Sequence, residues 1–126
     1  MMDEKTQAGL TTRAKIFKAL AHPSRLFILE QLAEGERCVC DLTDMIGADI
    51  STISKHLSVL KSAGVIHAEK RGLQVFYRLK MPCILRFFEC VGEVVQTNAK
   101  EQWEIMKSHE RQAVKSRRAG NGHANG

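Results

Sequence analysis

From residue 11 to residue 64 the apolar positions recur at intervals of three and four, the spacing of one helical face, and the interval then drops to two. Thr11 or Thr12 is placed to cap a first helix in which Ile16, Phe17 and Leu20 face inward, and His22-Pro23 ends it. Pro23 suits the first turn of a second helix carrying Leu26, Ile28, Leu29 and Leu32, which stops near Gly35. Val39, Leu42 and Ile46 form an i, i+3, i+7 stripe, so a short third helix is expected, closed by Gly47. Asp49 is a good N-cap for a fourth. There Ile50, Ile53, Leu57 and Leu60 share one side, Ser51, Lys55, Ser58 and Ser62 the other, and Ala63-Gly64 ends the helix.

Between Val65 and Leu79 the alternation of Ile66 and Ala68, then Val75, Tyr77 and Leu79, around Arg71-Gly72-Leu73 reads as a β-hairpin. Pro82 opens a last helix with one apolar row of Ile84, Phe88, Val91 and Val95 and a neighbouring row of Cys83, Phe87, Cys90 and Val94. So wide an apolar surface calls for a partner. The expected organisation is a flexible segment 1–10, one domain over 11–106, and a basic, disordered tail over 107–126 that is too polar to bury a core. No internal repeat is present. The element order is that of a winged helix-turn-helix, mainly α with a β-hairpin wing, whose fourth helix would lie in the major groove of DNA. A homodimer through the first and last helices would present two such helices to one duplex.

Composition fits one soluble globular domain: 126 residues, 44% apolar and 26% charged. The formal charge of +5 is uneven, amounting to −2 over residues 1–49, +5 over 50–80, −2 over 81–106 and +4 over 107–126. The first basic region covers the fourth helix and the hairpin, where cations would attract phosphates by counterion release. Nothing at the amino terminus resembles a signal peptide, and no stretch is apolar over the ~20 residues that a membrane span needs. A cytoplasmic location with no membrane role is expected, and there the four cysteines would serve as thiols, ligands or redox switches rather than structural disulfides.

Ser51, Thr52, Ser54, Lys55 and His56 stand in the amino-terminal part of the fourth helix, where short donors and one cation reach base edges and phosphates. Lys70, Arg71 and Gln74 at the hairpin tip would meet phosphate or the minor groove. His56 lies at the edge of the apolar side, so packing is open to it as well as contact. About ten residues upstream stands Cys38-Val39-Cys40-Asp41-Leu42, two sulfurs suited to a soft, thiol-seeking ion. A helix N-terminus lowers thiol pKa, with Arg37 able to assist. Residues i and i+2 of a regular helix point about 200° apart, so a shared ion requires the first turn of the third helix to be irregular or to unwind. Cys83 or Cys90 could add a third ligand, although both suit packing on the last helix. A closed structural zinc site needs four N or S donors and finds no second pair here.

The SxxSxHLxxLxxAG pattern from Ser51 to Gly64, with CVCDL just upstream, resembles the ArsR/SmtB family of metal- and metalloid-responsive repressors over roughly residues 13 to 95. CVCDL is similar to the arsenic-sensing branch in particular. That resemblance implies a homodimeric repressor released from operator DNA when trivalent arsenic or antimony binds the cysteines. Two departures stand out: Thr43 occupies the place of the third cysteine in that branch's motif, and Ile50 stands where such recognition helices commonly carry Gln.

The chain is therefore expected to be a metalloid-responsive repressor binding double-stranded operator DNA, with arsenic or antimony as inducer at Cys38 and Cys40. A thiol redox or persulfide switch on the same fold is the second reading, and a cytosolic metal-buffering protein the third. An enzyme is not expected, for want of a phosphate-binding Gly-rich loop, a C-x-x-C motif or a paired acid and base near a nucleophile.

Overall fold

Asp3 starts the first helix eight residues ahead of the expected cap. Its carboxylate accepts the Thr6 N–H at 2.7 Å, and α1 runs Glu4–Leu20. Thr12 lies within the helix with its hydroxyl donating back to the Ala8 carbonyl at 3.0 Å, so it caps nothing. Residues 4–10, expected to be flexible, are helical. The computed structural model describes the backbone of residues 1–124 and the side chains of residues 1–120. It divides into two compact units, residues 1–85 and the residues from Arg86 onward.

In the first unit α1 is followed by α2 (Pro23–Glu34), β1 (Arg37–Cys38), α3 (Val39–Ile46), α4 (Ile50–Ser62), β2 (Ile66–Arg71) and β3 (Gln74–Leu79). His22 caps α2 by accepting the Ser24 N–H on Nδ1 at 3.0 Å, with Pro23 in the first turn where its missing N–H costs nothing. Gly47 ends α3 at φ 77°, the left-handed position, and its N–H reaches the Thr43 carbonyl at 2.9 Å. Asp49 caps α4 as expected.

The hairpin pairs Ile66 with Leu79 through Arg71 with Gln74, leaving a two-residue turn of Gly72 and Leu73. Gly72 has φ 62°, the conformation that a type II′ turn asks of its first residue. The sequence pattern missed β1, which is only two residues long and pairs Arg37 with Tyr77 and Cys38 with Phe76, giving an antiparallel sheet of order β1-β3-β2.

Ile28 and Leu29 of α2, Leu42 of α3, and Ile53, Leu57 and Leu60 of α4 meet Val65, Ile66 and Ile84 in the core, none more than 2% exposed. Each such side chain contributes about 1.5–3 kcal/mol by leaving water. This core fixes α3 against α4 and seats the hairpin behind α4, where the Val65 N–H donates to the Leu60 carbonyl at 3.1 Å. Phe17, expected inward, is 56% exposed on α1.

The second unit is the continuation of α5 (Ile84–Ala124). Helix extends through the segment expected to be disordered, up to Ala124; residues 125 and 126 lie outside the described ones. The run from Glu101 to Arg118 is poor in apolar residues but rich in good helix formers, so local propensity favours helix even without a core. Val91, Val94, Val95, Trp103, Ile105 and Met106 are exposed along it.

Candidate nucleic-acid interface and thiol pair

The first turn of α4 is held by one side chain. Asp49 accepts the Thr52 N–H at 3.1 Å and the Ser51 hydroxyl at 3.2 Å, and these hydrogen bonds hold its carboxyl below the ordinary carboxylate range. Ser51, Thr52, Ser54 and Lys55 are all exposed. Ile50, placed on the apolar side by the spacing, is instead 60% exposed at the start of this face.

His56 is half-buried and faces the body of the domain. Its ring centroid is 4.4 Å from that of His22, and Arg25 Nη1 approaches its Nδ1 at 3.4 Å. Desolvation, then the charges of His22 and Arg25, push the His56 pKa below its ordinary value. Arg25 also donates from Nε to the Ala19 carbonyl at 2.6 Å, tying the end of α1 to α4. Of the two roles open to His56 in the sequence, the geometry found is packing.

At the hairpin, Lys70, Arg71, Leu73 and Gln74 are exposed, and Leu73 projects fully into solvent at the turn. Arg71 is heavily engaged. Its Nη2 donates to Glu36 Oε2 at 3.0 Å and to Glu69 Oε2 at 2.9 Å, its Nη1 donates to Glu36 Oε1, and its guanidinium lies 4.9 Å from the Phe76 ring centre. Glu36 was not singled out by the sequence, because 35 residues separate it from Arg71.

At the thiol pair the start of α3 is irregular, one of the two courses that sharing one partner requires. Cys38 is not in the helix: it has extended φ −85°, ψ 165°, and is the N-cap of α3. Its sulfur accepts the Asp41 N–H at 3.3 Å while Asp41 Oδ2 accepts the Cys38 N–H at 3.3 Å, a capping box with sulfur in place of hydroxyl. With Cys38 outside the helical rotation and Cys40 in the first turn, the Cα atoms stand 5.4 Å apart and the sulfurs join as a disulfide, where thiols, ligands or a redox switch were expected rather than a structural disulfide. No unwinding is needed to bring them together. Cys38 is 6% exposed while Cys40 reaches solvent, and Gln74 Nε2 approaches Cys40 Sγ at 3.9 Å. Arg37, expected to assist the thiols, pairs with Glu34 at 3.3 Å.

Cys83 and Cys90 are free and exposed. Among the described residues no three His, Cys, Asp or Glu side chains gather as a metal-holding group, and no helix is long and apolar enough to cross a membrane.

A trihelical core, a short helix leading into a capped helix with a polar face, and a hairpin beside it define a winged helix-turn-helix DNA-binding regulator. The model of bacterial regulatory proteins of the arsR family matches residues 22–68. An uncharacterized HTH-type transcriptional regulator of Methanocaldococcus jannaschii is 42% identical over 82 residues, 64% of this chain and 92% of that protein. The cadmium resistance transcriptional regulatory protein CadC of Listeria innocua is 42% identical over 74 residues, 58% of this chain and 62% of CadC. The solution structure of a homodimeric winged helix-turn-helix DNA-binding domain from Mycobacterium bovis, a possible ArsR-family regulator, superposes with a TM-score of 0.68 at 33% identity, covering 79% of this chain and 93% of that one. The chain belongs to the ArsR family. Its relatives and fold are those of transcriptional regulators, not enzymes.

Proposed function

We propose that the protein is a homodimeric repressor that occupies operator DNA through α4 and the wing and leaves it when a thiophilic ion, trivalent arsenic or antimony, binds Cys38 and Cys40. The observation that carries this reading is the convergence of the two sulfurs beside Gln74 at the base of the wing turn. Two soft donors on one short segment suit a thiophilic centre, which would take its remaining donor from Cys83 or a small thiol. The route to DNA runs through the wing. Cys38 is paired with Phe76 in the sheet and the Gln74 amide faces the Cys40 sulfur, so a change of partner at the thiols acts on two residues at the start of β3. The second copy would cover apolar side chains of α1 and α5 and set two α4 helices about 34 Å apart, one turn of DNA.

Fluorescence anisotropy of a labelled duplex tests the site. Cys38→Ser and Cys40→Ser should each bind DNA as the wild type does while losing release by arsenite. Release that persists in both variants would overturn the assignment of these cysteines. Cadmium, the ion for which the relative CadC is named, belongs in the same titration as a competing inducer.

The disulfide favours one second reading, a redox switch. Hydrogen peroxide would accept two electrons and two protons from the two thiols, its O–O bond breaking to give two waters as the S–S bond forms, with the same effect on Gln74. Release by peroxide with no response to arsenite, reversed by dithiothreitol, would select it.

A further inference from the structure

The apolar row of α4 is longer than the core it serves. Ile53, Leu57 and Leu60 are at most 1% exposed, whereas Ile50, one turn earlier on the same row, is 60% exposed. Single apolar side chains on a surface are ordinary, so exposure alone decides nothing. Position does. With 100° between successive residues, and within residues 50–58, Ile50, Ser54, Ser58, Ser51 and Lys55 follow one another around the helix over about 140°. All five are exposed, and Ile50 is the one large apolar group among them. It is also the first residue of the helix, on the turn that Asp49 fixes through Thr52 and Ser51. Resting on the DNA-binding reading, this is the end of the helix whose side chains meet base edges.

Serine and lysine offer hydrogen bonds and charge, which phosphates and most base edges satisfy. An isoleucine offers neither. The one apolar group on the floor of the major groove is the C5 methyl of thymine. We infer that Ile50 is a specificity-determining residue that selects thymine at one position of each half-site by packing against its methyl group. Water leaves both apolar surfaces when they meet, while a cytosine or purine edge at that position would lose hydration against a side chain unable to replace it.

Deoxyuridine pairs as thymidine does and lacks only the methyl, so it isolates the contact. Duplexes are first selected by the wild-type protein from a random-sequence pool, and each dT is then replaced singly by dU. Wild type should lose about fourfold in affinity at one thymine per half-site, the worth of about one buried carbon group converted at 298 K. Ile50→Ala should bind the dT and dU duplexes equally at that position and keep its responses elsewhere. Ile50→Gln, reselected from the same pool, should no longer recover thymine there, since its amide pairs better with adenine.

Discrimination between dT and dU that survives in Ile50→Ala, or no thymine sensitive to its methyl in the wild type, would overturn the inference. Failure of the wild type to select any duplex would bring down the DNA-binding reading and this one together. Because Ile50 is outside the core, both variants should match the wild-type thermal midpoint, which separates a lost contact from a lost fold.

Discussion

Cys38 shows how much of a residue's role lies outside its local pattern. C-x-C spacing points to a thiol pair, but reading both cysteines into a helix sets their sulfurs on opposite sides. The structure resolves this by starting the helix one residue later: Cys38 is extended, pairs with Phe76 and caps α3 with its own sulfur. Two residues are too few for a period, so nothing in the sequence announced β1. His56 is comparable, since only the fold brings His22 and Arg25 to it. With its pKa below the ordinary imidazole value near 6.5, its protonation opposes folding. The contribution of neutral His56 is complete above the unfolded value and is lost as pH falls through the lower folded one. Thermal melts from pH 7.5 to pH 5 should therefore show a drop that His56→Gln reduces; equal slopes in the two proteins would contradict it. In the core, Leu42 is fully buried, and Leu42→Ala should cost about 3 kcal/mol in urea unfolding. A loss below about 1 kcal/mol would show that the site collapses around the smaller side chain.

Among the elements, α2 to α4 and the hairpin were legible because their signals are local. Pro23, Gly47 and Asp49 mark ends where the structure puts them, and the buried side of α4 is Ile53, Leu57 and Leu60. Gly47→Ala should cost about 1 kcal/mol, because φ 77° strains any side chain; an unchanged urea midpoint would mean that α3 ends differently. The wing was legible as a hairpin but not as a clamped one. Arg71, a candidate phosphate contact, is held by Glu36, which lies on the connection between α2 and β1. Glu36→Gln removes one internal competitor for that guanidinium. DNA binding should tighten at low salt, and the slope of log affinity against log salt should steepen by up to about 1. An unchanged slope would remove Arg71 from the phosphate contacts. The start of α1 and the end of α5 were misread because polar composition was taken for disorder, whereas the Asp3 cap and residues of good propensity are enough for helix.

For the whole molecule, the wide apolar row of α5 is the feature that one chain leaves unexplained. Val91 and Val95, one turn apart, are 46% and 61% exposed. If a second copy covers them, Val91→Asp with Val95→Asp should convert the dimer to monomer in sedimentation velocity and weaken operator binding with it; a dimer that persists would place the interface elsewhere. Joining thiols, wing and α4 into one response is tested by anisotropy of a duplex taken from upstream of the protein's own gene, titrated with the reduced protein with and without arsenite. Tight binding that arsenite abolishes in the wild type and not in Cys40→Ser is the expected result. Binding that survives saturating arsenite in the wild type would contradict release by metalloid at Cys38 and Cys40.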